Sequence, residues 1–413
     1  MGADRIKLEA KRGCPSPAIG PTLILHVFPT FGVGGVQVRM TDVINHLGDA
    51  FRHTILALDG DYPCKDRLSA EVPVTFLPPP TGQRGLIRDL GGIRATLHRL
   101  RPDLLLTYNW GAIEWAFANT VSPISRHIHL ESGFGLEEAD HQLLMRVLFR
   151  RIALARSWRV VVPSQTLVRI ATQDWKLPSE KVTLIPNGVD WTGFDASPDP
   201  ADRLEFSQSP DTVVIGAVGP LRPEKNLAFL LDAFAAVTTR FDLRLVIIGK
   251  GSEEPALRQR AQALGISDKV TFTGHIESVE RELALLDVFA LTSRTEQMPN
   301  SVLQAMAAGK MVVAVDVGDV KLMLSPDNRP FVTPKGDIEA FVTTLEQVLG
   351  DAEIRARIGA RNRAHVQEHY PQDRMVEAYR KLLASCMNET SPRDPSTASA
   401  GRRARGTFTG SDG

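Results

Sequence analysis

The sequence predicts an α/β protein built from two doubly wound domains. Apolar runs of strand length alternate with amphipathic helical stretches along most of the chain, and the alternation starts afresh near residue 213. The chain has 413 residues, more than one hydrophobic core commonly serves.

Taken in order, residues 1–20 mix charges with Gly and Pro and lack an apolar segment. They read as a loose leader, not a signal peptide. LILHVF at 23–28 is a buried strand, followed by a glycine-rich turn and a helix from 36 to 47. Strands follow at 53–58 and 74–77, then a helix at 86–100 and strands at 103–108, 127–130 and 159–163. The second series has strands at 213–218, 243–249, 270–274, 288–292 and 311–315, with helices at 226–239, 254–264 and 300–308. The domains expected are 21–190 and 191–370. A helix at 371–388 is expected to cross back to the first domain. The Ser-, Thr-, Gly-, Pro- and Arg-rich end at 389–413 has too little apolar matter to repay ordering and is expected to be disordered.

Composition narrows the function. Forty-eight basic residues balance 48 acidic ones, so net charge gives no argument for a nucleic-acid partner. Cys14, Cys64 and Cys386 are far apart, which fits a reducing, cytoplasmic setting better than a disulfide framework. No run reaches the roughly 18 apolar residues of a membrane span.

In doubly wound sheets, ligands bind beyond the carboxyl ends of the strands. The candidate motifs fall there. Gly32-Val33-Gly34-Gly35 lets the backbone approach a ligand at a helix start, where unpaired N–H groups favour a phosphate or a sugar. It lacks the spacing of a dinucleotide fingerprint. Gly219 to Asn226 places Lys225, with Arg222 nearby, after the first strand of the second domain. A fixed cation there stabilises the negative charge that grows on a departing diphosphate. Ser293 to Gly309 contains Glu296, a carboxylate able to accept hydrogen bonds from sugar hydroxyls, and then a helix expected to be capped by Asn300 and stopped by Gly309. Gln304 lies one turn beyond Asn300 on the same face. Residues 181–190 read as a strand and turn crossing between domains. Asp59-Gly60-Asp61 reads as a plain turn in preference to a metal site.

Together these strings resemble glycosyltransferase family 4, retaining enzymes of the GT-B fold, over about residues 22–385. The likeness rests on Gly34-Gly35, the Ile-Pro-Asn-Gly-Val-Asp string at 185–190, the loop at 219–225, and the segment from Glu296 into Ala-Met-Ala-Ala-Gly at 305–309. It implies two Rossmann-like domains facing across a cleft. The acceptor side lies in the first domain and the nucleotide-sugar side in the second. It implies that Lys225 contacts the donor diphosphate and Glu296 the donor sugar. Met298, Asn300 and Ser301 would hold sugar and phosphate through their backbone, Gln304 the ribose, and the loop around Ile276 the base. No cofactor and no catalytic metal are expected. The acceptor would be a glycan or a lipid-linked intermediate, and the setting polysaccharide or glycoconjugate biosynthesis.

The chain departs from the family at several points. Pro220 stands where a phosphate-binding Arg is usual, with Arg222 two residues on as its substitute. Gln304 replaces a Glu, Gln297 a Gly, and Ser132 a His near the transferred sugar, while the neighbouring His129 is expected on the other face of its strand. These changes keep two rivals in play: a donor-binding scaffold of a polysaccharide-assembly complex, and a sugar-nucleotide epimerase. The stretch His141–Trp158 interleaves Arg146, Arg150, Arg151 and Arg156 with apolar residues. A helix packed on the sheet with its arginines in water is preferred here over one lying on the inner face of the cell membrane.

Overall fold

The computed structural model describes residues 21–79, 90–194 and 212–388. The leader at 1–20, the first residues of the helix expected at 86–100 and the tail at 389–413 lie outside them.

The first series comprises β1 (Thr22–Phe28), α1 (Gly35–Leu47), β2 (Phe51–Ala57), β3 (Val74–Leu77), α2 (Leu90–Leu100), β4 (Leu104–Tyr108), α3 (Ile113–Val121), β5 (Arg126–Leu130), α4 (Leu144–Ala153), β6 (Arg159–Val162), α5 (Gln165–Arg169) and β7 (Val182–Leu184). The seven strands form one parallel sheet in the order β3-β2-β1-β4-β5-β6-β7. Every residue of β4 is buried, as continuous apolar runs require when helices cover both faces of a sheet. The order reverses between β1 and β4, so the loops after these strands part and leave a crevice.

The second series repeats the winding. It contains β8 (Val213–Val218), α6 (Leu227–Val237), β9 (Leu243–Ile248), α7 (Glu254–Ala263), β10 (Val270–Gly274), α8 (Glu280–Leu285), β11 (Val288–Leu291), α9 (Asn300–Ala307), β12 (Met311–Val315), α10 (Val320–Met323), β13 (Val332–Thr333), α11 (Ile338–Leu349) and α12 (Ala352–His369). Its parallel order is β10-β9-β8-β11-β12-β13. Here the reversal falls between β8 and β11. α6 (LAFLLDAFAAV) is apolar over most of its surface because it is buried in the second core.

The chain passes between the sheets after β7, and Val189 pairs in parallel with Pro371, so the outgoing and returning strands touch. The last helix, α13 (Gln372–Asn388), buries Met375, Val376, Tyr379, Leu382, Leu383 and Cys386 in the first domain's core, beside Ile24, Leu106 and Ile128.

α4 corrects the expectation for residues 141–158. Four of its apolar side chains face out, Leu144 84% exposed, Met145 77%, Leu148 50% and Ile152 46%, while Val147, Phe149 and Ala153 pack inward. Arg150 is fully buried. Its guanidinium grips Glu138 with two bonds of 2.9 Å and lies 4.8 Å over the Trp110 ring and 5.1 Å over Trp175. Arg146 joins Glu138 at 3.1 Å. Burial works to raise the Glu138 carboxyl, but the hydrogen bonds of both arginines and the charge of Arg150 hold it below its ordinary range. A satisfied fork of this kind is favourable inside a protein, whereas a lone charge is not. The polar pair therefore turns inward and the leucines outward. Arg151 and Arg156 remain exposed.

Candidate active site in the interdomain cleft

The donor-side motifs meet at the carboxyl ends of β8 and β11. After β8 the chain turns at Gly219 (φ 152°), forms a short 3-10 turn over Pro223–Lys225, and enters α6 through Asn226 in the left-handed region (φ 52°). Asn tolerates that region better than most residues. This turn directs Lys225 toward the loop after β11, where its Nζ pairs with Glu296 Oε1 at 2.5 Å. Ser293 Oγ donates to the same carboxylate oxygen at 2.8 Å, and Thr292 Oγ1 donates to the Lys225 carbonyl at 3.2 Å. Gly219, Pro220, Lys225, Thr292 and Ser293 line a hollow there. A Cβ on Gly318 (φ 55°) would lie 2.3 Å from the Glu296 carbonyl, so only glycine lets that loop brace the Glu296 backbone.

The other candidates are placed less uniformly. Arg222 is largely exposed, and its charge contact is with Glu224, at 3.9 Å. It does not join the Lys225–Glu296 pair, and Pro220 beside it is exposed. Ile276 is half-buried against the second core. Ser301 and Gln304 are half-buried on α9.

Asn300 does not cap α9. The helix begins at Asn300, Pro299 is the cap residue, and no side chain caps the helix. The Asn300 side chain is committed elsewhere: its Oδ1 accepts from Asn187 Nδ2 at 2.9 Å, and its Nδ2 donates to the Gly35 carbonyl at 3.4 Å. Gly34 is the cap residue of α1, and Gly35, its first residue, is exposed. The glycine loop of one domain therefore touches the helix start of the other.

Asn187 is the hub of this seam. Its Nδ2 also donates to the Met298 carbonyl at 2.7 Å, and its Oδ1 accepts from Arg39 Nη1. Arg39 Nη2 donates to Ser132 Oγ at 2.8 Å. The backbone N–H of Ser132 donates to Asn109 Oδ1 at 2.8 Å, and Asn109 itself has positive φ (55°). His129 is fully buried and bonds Thr107 Oγ1 at 2.8 Å, away from this group. Asp59 accepts from the Asp61 N–H at 3.0 Å, which closes a turn.

Two seam contacts were not legible as such in the sequence. Gln297, a departure from the family, accepts from Ser164 Oγ at 3.0 Å and packs near Gly133. Asp319 accepts from the Gln165 N–H (2.6 Å), the Thr166 N–H (3.0 Å) and Thr166 Oγ1 (2.7 Å), so a second-domain carboxylate sits on the start of α5. Asp319 follows Gly318, and a glycine-aspartate pair reads as any turn.

Comparison with known proteins agrees with this geometry. Residues 33–192 match the model of "Glycosyltransferase Family 4", and residues 212–351 match "Glycosyl transferases group 1". The chain belongs to glycosyltransferase family 4. One relative is N-acetyl-alpha-D-glucosaminyl L-malate synthase of Bacillus anthracis, 24% identical over 58% of this chain and 62% of that protein. Another is a GDP-mannose-dependent monoacylated alpha-(1-6)-phosphatidylinositol monomannoside mannosyltransferase of Corynebacterium glutamicum, 31% identical over 49% of this chain and 55% of that one. The match thus spans little more than half the length of these family 4 relatives. Among solved structures, Anabaena HepE in complex with UDP-glucose superposes with a TM-score of 0.74 at 21% identity, covering 88% of this chain and 99% of that one. The two facing parallel-sheet domains are the GT-B fold.

Proposed function

We propose that the protein is a retaining glycosyltransferase that moves a sugar from a nucleoside-diphosphate sugar to a glycan or lipid-linked acceptor in glycoconjugate biosynthesis. The observation that carries this reading is the Lys225–Glu296 pair, held at 2.5 Å where the loops after β8 and β11 converge. In transfer, the bond between the anomeric carbon and the diphosphate oxygen breaks. The acceptor oxygen bonds that carbon, and the acceptor's proton leaves to the diphosphate or to water. Lys225 would stabilise the departing diphosphate more than the intact donor, which lowers the barrier. Glu296 would orient the sugar hydroxyls. The UDP-glucose seen in the Anabaena neighbour supports a nucleotide-sugar donor here. Retention rests on family membership. Cytoplasmic placement and independence from metals and cofactors belong to the same reading.

The exposed face of α4 supports a membrane-bound working position. Leu144, Met145, Leu148 and Ile152 form an apolar stripe beside the exposed Arg151 and Arg156. That combination suits an anionic bilayer surface. Among the described residues no helix is long and apolar enough to cross a membrane.

The test is donor turnover by wild type, Lys225→Ala and Glu296→Ala, with the anomeric configuration of the product read by NMR. Full rates in both variants would refute the assigned roles, and an inverted product would refute retention. Conversion of the donor without acceptor would favour an epimerase. No turnover, with a partner co-purifying, would favour the scaffold.

A further inference from the structure

Arg39 is 4% exposed, yet no carboxylate lies within 4 Å of it among the described residues. Its two hydrogen-bond partners, Asn187 and Ser132, are neutral. A guanidinium carries five N–H donors, and Arg39 Nε is buried with no partner at all. Among the described residues the other buried arginine, Arg150, also leaves its Nε without a hydrogen bond, but it holds the Glu138 carboxylate in a two-bond fork. A buried cation without an anion is costly, and an arriving anion would relieve that cost. Ser132, which accepts from Arg39 Nη2, is only half-buried, as is Gly133 after it. Asn187 ties Arg39 to Met298 and Asn300, at the start of α9.

We infer that Arg39 is a recognition site for a substrate oxyanion, a carboxylate or phosphate group carried beside the transferred sugar. Ser132 and Asn187 position the guanidinium, and Asn109 fixes the Ser132 loop from below. The fork geometry of Arg suits a planar carboxylate or a phosphate edge better than a Lys would. The anion comes from one of two sources: an acceptor bearing an acidic group, or a uronic acid on the donor. This inference rests on the transferase reading, but its test does not need turnover.

The experiment follows the thermal midpoint of the full chain. One arm uses inorganic phosphate and malonate on Lys225→Ala, in which the donor-phosphate cation is gone, and on Lys225→Ala/Arg39→Gln. The other compares UDP-glucuronate with UDP-glucose on wild type and Arg39→Gln. An anion-induced rise in the first arm that disappears with Arg39 assigns the site to an anionic acceptor. A preference for UDP-glucuronate that disappears with Arg39 assigns it to the donor. Loss of the site weakens the relevant anion at least about tenfold, the scale of one charged contact. Arg39→Lys, which keeps charge but not the fork, gives an intermediate response and serves if the Gln variant does not fold. An anion response unchanged by either substitution, or none in any protein, overturns the inference. A midpoint lowered without ligand and an unaltered anion response would make Arg39 a structural link only. Failure of the transferase reading would show separately, as no response of wild type to any nucleoside diphosphate.

Discussion

Two cations flank the seam between the domains, and the fold treats them oppositely. Lys225 of the second domain has a carboxylate at 2.5 Å, and both partners are partly open to solvent. Arg39 of the first domain is more deeply buried and has only neutral partners. The paired cation is neutralised before any ligand arrives, so a diphosphate must compete with Glu296 or share Lys225 with it. The unpaired cation offers its full charge to whatever anion reaches it. On this comparison, the second domain grips a ligand by exchange of partners, and the first by completion of a missing pair.

The largest effect is expected at Lys225. Lys225→Ala should lower transfer by roughly 100- to 1000-fold, the range for loss of one group that stabilises developing charge. Steady-state kinetics with saturating acceptor measures it. A change confined to KM would mean that Lys225 binds donor and transition state equally.

Asp319 is a further tie across the seam. Asp319→Ala removes three hydrogen bonds to a carboxylate and should cost on the order of 3 kcal/mol, read as a lower midpoint in urea. Loss of cooperativity, with two separate transitions, would show that Asp319 couples the domains.

A pH scan probes the buried histidines of the first domain. Burial lowers His53 to about 4, and burial together with the neighbouring His53 lowers His26. His26 bonds Tyr108 at 2.8 Å and His53 at 2.9 Å, a chain that needs neutral rings. Between about 4 and the ordinary 6.5 the unfolded chain binds more protons than the folded one. Stability therefore rises with pH across this window and is lost as pH falls through it. His53 alone accounts for about 3 kcal/mol. Midpoints at pH 7, 6, 5 and 4 should fall steadily, and less steeply for His53→Asn.

The smallest effect on stability is expected on α4. Met145→Ser with Leu144→Ser should change the midpoint by little, within about 0.5 kcal/mol for each exposed site. The same change should abolish sedimentation with vesicles of three parts phosphatidylcholine to one part phosphatidylglycerol. Binding that survives it would place any membrane contact elsewhere.

How much of this was legible in the sequence follows from range. The central strands were readable because each is a short run buried on both faces, so its apolar pattern is local, whereas the two-residue β13 was missed because it is too short to show a pattern. Lys225 and Glu296 were readable because each sits next to a strand end. The orientation of α4 was not, because Arg150 is turned inward by Glu138 from the preceding loop and by Trp110 and Trp175 from other elements. Arg39 joins residues 148 and 93 positions away, and Asp319 joins residues 154 and 153 away. No local pattern records such pairings. Asn300 shows the same effect in reverse: its helix-capping preference is real, but Asn187 and Gly35 claim the side chain.

Lys225 is proposed to belong to a nucleotide-sugar site. The most direct measurement is the thermal midpoint of wild type and Lys225→Ala with UDP, GDP and ADP in turn. A ligand at a hundred times its dissociation constant adds about 2.7 kcal/mol, which in domains of this size moves the midpoint by roughly 5–11 °C. Wild type should show such a rise with one nucleoside diphosphate, and Lys225→Ala should lose it. A rise that survives the substitution, or none with any nucleotide, would contradict that assignment.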